Sequence, residues 1–412
     1  MSDEFPRLRP VEAFPVDHEG QRMLALRDPA GYAPSIVMLP GPAVEIVALF
    51  DGSHTIVDVQ AELTRRYGEI VPRAQIEALI EGLDGHGFME GPRFSERKAA
   101  IDGEFLASPI RPASHAGGAY AADPDELRVT MDEFFTHAEG PGAIEWSAPA
   151  GGIRGAITPH IDFHRGGPAY AWAYRRLAER SDGDLFVIFG TCHAGMGDPF
   201  ALTRKDYATP FGPAAVDRDF VEALSKRAGQ DCFASELAHR GEHSIEFQAV
   251  FLRYLYATRR DVTIVPVLTS FAHEALARRK GPEDDPRVPR FLDAVAETIA
   301  TSGRRVVVIA GADLAHMGPR FGDPAPISTE ELGRIEREDR ELLGSVSDGD
   351  PRAFFDAVAR VGDRRRICGY SPIYATLRVL GRPRGELRRY GQWPDPQGVV
   401  TFASMTFTHG LA

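Results

Sequence analysis

The chain has 412 residues and a formal net charge of −12; 43% of its residues are hydrophobic and 26% are charged. This length exceeds one typical hydrophobic core and predicts two domains, and the composition excludes the disordered and fibrous classes. The negative charge argues against nucleic-acid binding, because that binding draws its affinity from clustered Lys and Arg. We interpret the short basic run Arg364–Arg366 as a solvated loop.

Targeting and redox signals are sparse. No stretch approaches the roughly 18 apolar residues of a membrane span, and the N-terminus lacks the apolar core of a signal peptide. The three cysteines, Cys192, Cys232 and Cys368, are too few for a disulfide framework and indicate a reducing compartment. We therefore expect a cytoplasmic protein with no membrane partner.

The first predicted domain is a small α+β module over residues 1–92. Two short apolar stretches, Met23–Leu26 and Ile36–Leu39, precede three helical patterns. Thr55, with Asp58 three residues later, predicts a capping box at the start of one of these helices.

Two segments of this module carry a resemblance. They are LFDGSHTIVDVQAELTRRYG (49–68) and IEALIEGLDGHGFME (76–90). Their pattern resembles the winged-helix-like domains of PqqD type, which recognise peptides in peptide-modifying systems. The resemblance implies a peptide or protein partner for this module. The alternative is a scaffold or dimerisation domain without a ligand.

A weakly periodic segment with mixed charges predicts a linker over residues 93–107, or a single exposed helix. Beyond it, strand-like runs alternate with helical patterns. The predicted strands are Ile153–Thr158, Leu185–Phe189, Val262–Leu268 and Val306–Ala310. The predicted helices are Tyr170–Arg180, Ser244–Tyr256, Phe291–Ala300 and Ser371–Leu380. Residues 108–412 therefore predict an α/β layered sheet with helices on both faces.

A polar cluster directly follows each of three predicted strands. They are His160 with Asp162 and His164, then Cys192 with His193, then Asp313 with His316. Ligands bind at the carboxyl ends of the strands in open α/β sheets, so these turns should meet in one crevice. The sequence predicts a histidine-rich pocket.

A fourth cluster, Glu242, His243, Ser244 and Glu246, opens a predicted helix. Glu and Ser at a helix start are ordinary capping chemistry. If the pocket reaches this far instead, His243 contacts the substrate or orients a neighbouring ligand. The sequence leaves both interpretations open.

Cys368 lies just before a predicted helix and is the cysteine that we expect to have a chemical role. A thiol close to a helix N-terminus and to imidazoles is expected to have a lowered pKa, and the thiolate is both a nucleophile and a metal ligand. Several histidines around one thiol favour a metal ligand over a Cys-His couple. A buried small hydrophobe is the alternative.

Six motifs occur in a fixed order along the second predicted domain. They are RPASHAGGAYAADPDELRVTMDEFF (111–135), TPHIDFHRGG (158–167), VIFGTCHAG (187–195), GEHSIEFQAVFL (241–252), GADLAHMGPRFG (311–322) and ICGYSPI (367–373). In this order they resemble the Memo family, whose bacterial and archaeal members are known as AmmeMemoRadiSam system protein B. The family's fold is similar to that of class III extradiol dioxygenases. The resemblance implies partners of radical SAM and AMMECR type.

The resemblance also implies roles for single residues. In the Memo pattern His160, His193 and Cys368 are metal ligands, whereas the related dioxygenases have a carboxylate as the third ligand. A thiolate softens the site and favours iron or copper over magnesium or calcium, and iron(II) is the cofactor we expect. His316 takes the place of the dioxygenases' general base, and Asp313 the acidic position in the Memo pocket.

These features predict a mononuclear non-haem iron protein with redox, dioxygenase-like activity. The main alternative is a non-catalytic metal-chelating or protein-binding scaffold, and a third is a Cys-dependent enzyme without metal. The chain departs from better-known members, since it adds Asp162, His164 and Arg165 after the first strand. It also has Ala194 where many members have a second histidine beside His193.

Overall fold

A computed structural model describes residues 5–68, 70–146 and 151–408. The chain divides into two compact units, Met1–Ser108 and Pro109–Ala412. Each unit has its own cluster of buried hydrophobic side chains. Within the described residues, no helix is both long enough and apolar enough to cross a membrane.

The first unit is a three-stranded antiparallel sheet followed by helices. Its elements are β1 (Glu12–His18), β2 (Gln21–Arg27), β3 (Val37–Pro40), α1 (Gly41–Val47), α2 (Ile56–Tyr67), α3 (Arg73–Gly85) and α4 (Pro92–Ala107). The predicted capping box is present, with Thr55 and Asp58 bonding each other's main-chain N–H at the start of α2. The sequence pattern misses β1 because most of its side chains are exposed and only Phe14 and Val16 form an apolar alternation.

The segment predicted as a linker or a single exposed helix forms α4. The Arg9 guanidinium lies 3.7 Å from the centroid of the Phe94 ring on this helix and pairs with Asp28 at 3.0 Å. The Tyr32 hydroxyl donates to Asp102 of α4 at 2.9 Å. Buried polar contacts therefore hold α4 against the rest of the first unit.

The second unit contains the remaining elements. They are β4 (Ile110–Arg111), α5 (Pro124–Thr136), β5 (Ile153–Thr158), α6 (Phe163–Arg180), β6 (Leu185–Thr191), β7 (Phe200–Leu202), β8 (Asp206–Tyr207), α7 (Arg218–Ala228), α8 (His243–Tyr256), β9 (Thr263–Thr269), α9 (Ala272–Ala277), α10 (Arg287–Thr301), β10 (Val306–Gly311), β11 (Asp313–Met317), α11 (Thr329–Ser347), α12 (Pro351–Arg360), α13 (Tyr370–Leu380), β12 (Arg384–Asp395) and β13 (Gly398–Thr408). The four strands and four helices predicted in this unit are all confirmed.

Eight strands form one mixed sheet in the order β11-β13-β5-β10-β6-β9-β7, with β12 also paired to β13. The predicted strands β5, β10, β6 and β9 run parallel in its centre. The other four are antiparallel to their neighbours and are missed by the sequence pattern. Gly311 of β10 lies opposite Thr158 of β5 and Gly190 of β6. The carboxyl ends of three central strands therefore meet at one level.

Helices cover both faces of this sheet. A Cβ atom added at Gly155 of β5 would lie 2.4 Å from the Leu380 side chain, so this glycine permits the close approach of α13. Three residues along the same strand, the Thr158 hydroxyl donates to Gln248 of α8 at 2.6 Å. Alternating strand positions point to opposite faces, so α8 and α13 lie on opposite sides. The predicted layered α/β architecture is confirmed.

Candidate metal centre

His160 follows β5 and is almost completely buried. Its main-chain N–H donates to Asp313 at 3.0 Å, and its ring Nδ1–H donates to the Gly311 carbonyl at 2.9 Å. The carbonyl can only accept, so Nε2 carries the lone pair, which faces the Sγ of Cys368 at 3.2 Å. Burial lowers the pKa of His160 to about 3, which keeps the ring in the neutral form that binds metal.

His193 follows β6 and is held by Glu242. The Glu242 carboxylate accepts from the main-chain N–H of His193 at 2.8 Å and from its ring Nδ1–H at 3.0 Å. It also accepts from the Ser244 N–H at 3.0 Å, so Glu242 both caps α8 and orients a pocket histidine. Burial acts to lower the pKa of His193, but Glu242 raises it above its ordinary value.

His243, the first residue of α8, completes a group of three imidazoles. Its ring stacks on His193 with centroids 4.6 Å apart and meets His160 edge-on at 5.3 Å. One ligand nitrogen from each ring lies within 4.8 Å of the other two. Burial lowers the pKa of His243 well below its ordinary value. The structure therefore brings His243, predicted as a substrate contact, into the group that can hold an ion.

Cys368 lies beside His160, just before α13. Its Sγ is 3.2 Å from Nε2 of His160 and 3.7 Å from the Asp313 carbonyl oxygen. Burial and the negative charge of Asp313 raise the pKa of the Cys368 thiol well above its ordinary value. The expectation that the helix N-terminus lowers this pKa is therefore wrong, because burial outweighs it. A cation at His160 would again favour the thiolate.

Asp313 joins the turns that carry His160 and Cys368. Its carboxylate holds the His160 N–H, and its main-chain carbonyl accepts from the Gly369 N–H at 3.0 Å. Its Oδ2 lies 3.7 Å from Nε2 of His160. Burial raises the pKa of Asp313 to about 6. This carboxyl is poised between its charged and neutral forms near neutral pH.

His316, on β11, lies outside the close group of imidazoles. Its Nδ1–H donates to the Leu314 carbonyl at 3.0 Å, and its main-chain N–H donates to the Arg365 carbonyl at 2.7 Å. The ring lies edge-on to Phe321 with centroids 5.1 Å apart. Burial lowers the pKa of His316, although Asp313 acts against this. Burial therefore favours the neutral form of the His316 ring.

Sequence reasoning missed a cluster around Glu246, one helical turn after Glu242 on α8. The Glu246 side chain is fully buried and pairs with Arg111, which is also fully buried. The Tyr120 hydroxyl donates to the same carboxylate, as does Nδ1–H of His115 at 3.0 Å. The available signal was the spacing of two glutamates on one face of α8. The capping interpretation of this cluster is confirmed for Glu242, whereas the Glu246 carboxylate, in the first turn, holds these three side chains.

The segment leading to Cys368 is a turn in which the Arg364 and Arg366 side chains are 42% and 41% exposed, as predicted for a solvated loop, but Arg365 is buried. The Arg365 and Asp339 side chains form an ion pair in which they are 7% and 0% exposed. Arg366 pairs with Asp323 at 2.7 Å, and Arg364 pairs with an acidic side chain of α11. A run of like charges looked solvated because the sequence does not reveal its partners.

The residues that distinguish this chain after β5 lie at the start of α6. Arg165 Nε donates to the His164 ring at 3.2 Å and lies 3.6 Å from the Asp162 carboxylate. His164 in turn lies edge-on to Trp393, with centroids 6.4 Å apart. These side chains contact one another and not the three imidazoles.

The donors of the centre suit a transition-metal ion. Three imidazoles and one thiol are nitrogen and sulfur donors, which select iron, copper or zinc rather than magnesium or calcium. The carboxyls Glu242, Glu246 and Asp313 are buried around them, with Arg111 as the buried cation beside Glu246. This excess of acidic groups favours a bound cation. The exposed side of His193 leaves room for further ligands.

Comparison with known proteins identifies the family to which the second unit is similar. The family described as Memo-like protein matches residues 111–406. The chain belongs to this family. A MEMO1 family protein of Aquifex aeolicus is 26% identical over 402 residues, 96% of this chain and 99% of its own length. MEMO1 family proteins of Methanopyrus kandleri and Methanothermobacter thermautotrophicus are each 30% identical over 305 residues, 72% of this chain and 98% and 100% of their own lengths.

The relatives differ in how much of this chain they match. The two archaeal relatives are matched over almost their whole lengths by 72% of this chain, so each is shorter than this chain. The Aquifex relative is matched over nearly the whole of this chain, so its match extends over both units.

Proposed function

We propose that the Memo-like unit binds one iron(II) ion, or copper, through His160, His193 and Cys368, and that it has redox, dioxygenase-like activity. The observation that carries the proposal is the meeting of Cys368 Sγ and His160 Nε2 at 3.2 Å, with the centroid of the His193 ring 4.9 Å from that of His160. Two imidazoles and a thiolate leave coordination positions open for a substrate or for His243. Iron or copper would supply redox chemistry and Lewis acidity to a bound substrate.

The surrounding residues have separate roles in this proposal. His316 accepts or donates a proton at Nε2, because its Nδ1 is occupied by the Leu314 carbonyl. Asp313 holds the turn that carries His160. His243 either contacts the substrate or takes a further position on the ion, since its ring stacks directly on His193.

Elemental analysis of anaerobically purified protein tests the ligand set. We expect about one iron or copper per chain, because His160, which belongs to the imidazole group and also contacts Cys368, has one ring nitrogen available as a ligand. Cys368→Ser should lose this metal, and His137→Gln, at an exposed histidine after α5, is the matched control. Full metal content in Cys368→Ser would contradict the ligand assignment.

A non-catalytic scaffold is the second candidate, with the first unit recruiting a peptide or protein. Its support is β3, which lies at an edge of the three-stranded sheet and carries the exposed Met38 after the exposed Ile36. An edge strand with exposed apolar side chains can pair with an added peptide strand. Radical SAM and AMMECR-type proteins are the partners proposed for the Memo-like unit. All three cysteines are free, which supports the cytoplasm as the proposed location.

Oxygen consumption separates the enzyme from the scaffold. The iron-loaded protein is assayed aerobically against phenolic and peptide substrates, with Cys368→Ser as the metal-free control. Substrate-dependent oxygen uptake by the unchanged protein alone supports the enzyme. Binding of peptides without any oxygen uptake would favour the scaffold.

A further inference from the structure

His115 lies outside the candidate centre but continues its row of imidazoles. The His115 ring meets His243 with centroids 5.5 Å apart, and His243 stacks on His193. These three side chains are 28%, 29% and 38% exposed, whereas the His160 side chain is 2% exposed. The row therefore connects three partly exposed imidazoles, of which His115 lies outside the candidate centre, to the most buried of the proposed ligands.

His115 is held in the way that metal-binding histidines are held. Its Nδ1–H donates to Glu246 at 3.0 Å, and its main-chain N–H donates to the same carboxylate at 3.0 Å. A carboxylate on one ring nitrogen fixes the tautomer and makes the other nitrogen a stronger donor to metal. Glu242 supports His193 in the same manner. The first turns of α8 therefore orient two imidazoles that flank His243.

The His115 ring is not needed to satisfy Glu246. That carboxylate already accepts from Arg111, from Tyr120 and from the His115 main chain. Nε2 of His115 has no hydrogen-bond partner among the described residues. A partly exposed and oriented nitrogen without a partner is therefore available to bind an ion.

We propose that His115 and His243 form an entry position at which a divalent transition-metal ion first binds from solution, before it passes to His160, His193 and Cys368. The inference rests on the proposed metal centre. His243 belongs to both positions, because its ligand nitrogen also lies within 4.8 Å of those of His160 and His193. The ion can therefore exchange one ligand at a time without full release to water.

Cobalt(II) binding to the metal-free, full-length protein tests this order of events. Stopped-flow absorption under anaerobic conditions distinguishes two stages, because cobalt–thiolate charge transfer appears only once the ion reaches Cys368. Ligand-field absorption without this charge-transfer band reports an ion that is bound by imidazoles alone. We expect the imidazole signal to precede the thiolate signal in the unchanged protein.

The variant His115→Gln keeps a side-chain donor near Glu246 but removes the ligand nitrogen. Because a metal-supporting group is typically worth about 10- to 100-fold in affinity, we expect the thiolate signal to develop about tenfold more slowly. Its final amplitude should be unchanged. His137→Gln is the matched control and should match the unchanged protein in rate and amplitude.

Three outcomes overturn the inference in distinguishable ways. Equal rates in His115→Gln and the unchanged protein would show that His115 has no part in entry. A smaller final thiolate signal in His115→Gln would make His115 a ligand of the centre itself. If the unchanged protein gives no thiolate signal, the proposed centre fails and the entry position fails with it.

Discussion

His160 and Asp313, on one side of the candidate centre, have side chains that are 2% exposed. His193, His243 and His115, on the other side, are 38%, 29% and 28% exposed. We name the first group, together with Cys368, the inner wall, and the second group the outer wall. In the inner wall, His160 is held by hydrogen bonds to Gly311 and Asp313 at the end of β10. In the outer wall, the carboxylates of Glu242 and Glu246, at the start of α8, hold His193 and His115.

The difference assigns separate tasks to the two walls. The Gly311 and Asp313 main chains that contact the inner wall cannot move without disturbing the sheet. Glu242 and Glu246 reach the outer wall through side chains, and that wall meets solvent. The inner wall should therefore determine, together with His193, whether metal is held, and His243 and His115 of the outer wall should determine how metal and substrate arrive.

The largest expected effect is loss of metal from the inner wall. His160→Ala should leave no bound iron or copper after anaerobic purification, because it removes the buried ligand that Cys368 contacts. His243→Ala should retain metal, since the ring can be replaced by another ligand at the open side. Elemental analysis measures the iron and copper bound to both variants. Equal metal content in the two variants would remove the distinction between the walls.

The next effect is on turnover. His316→Gln should keep its metal but lose about 100- to 10,000-fold in the rate of oxygen uptake, as is typical for removal of a general acid or base. Elemental analysis and initial rates are compared on the same preparation. Loss of metal, or an unchanged rate, would contradict the proton-transfer role. Reduced stability alone would point to a structural role for the bond to Leu314.

The third effect concerns the segment that carries Cys368 to the inner wall. Arg365→Met should lower the free energy of unfolding by about 3 to 5 kcal/mol, because it leaves Asp339 buried without its ion pair. Arg364→Ala is the matched control and should cost at most about 1 kcal/mol, since its pair is partly exposed. Urea denaturation measures both. Similar values would restore the interpretation of a solvated loop.

A smaller effect on metal binding is expected when a carboxylate that orients the outer wall loses its charge. Glu242→Gln keeps the size of the side chain but removes its charge, and should weaken metal binding about 10- to 100-fold. Competition with a chelator measures the affinity. Glu139→Gln, at an exposed glutamate, is the control and should leave affinity unchanged. An unchanged affinity in Glu242→Gln would mean that His193 needs no orientation by Glu242.

The smallest effect should follow removal of the first unit. A shortened chain beginning at Pro109 should bind metal with unchanged affinity, because every residue of both walls lies in the Memo-like unit. Circular dichroism first establishes that the shortened chain is folded. Loss of metal from a folded chain would show that the division into independent units is wrong.

The central strands and their polar turns could be predicted because their signals are local. β5, β6, β9 and β10 are short apolar runs. A histidine-bearing segment directly follows β5, β6 and β10 in the sequence. Parallel strands bring their carboxyl ends together whatever the loops between them. The position of His160, His193 and Asp313 at one level follows from that rule and from the register of β10.

The rest was decided by contacts between distant residues. The Arg111 and Glu246 that anchor the outer wall are separated by 135 positions, and Cys368 and His160 by 208. β13 enters the sheet between β5 and β11 although it is the last strand of the chain. Residue type alone does not reveal burial, so the raised pKa of Cys368 and the ion pair of Arg365 could not be read from charge or spacing. The sequence by itself determined the four central strands and the polar residues that follow three of them, because these are properties of neighbouring residues. Only the tertiary structure decided which side chains are desolvated and paired, because desolvation and pairing depend on what the folded chain brings into contact.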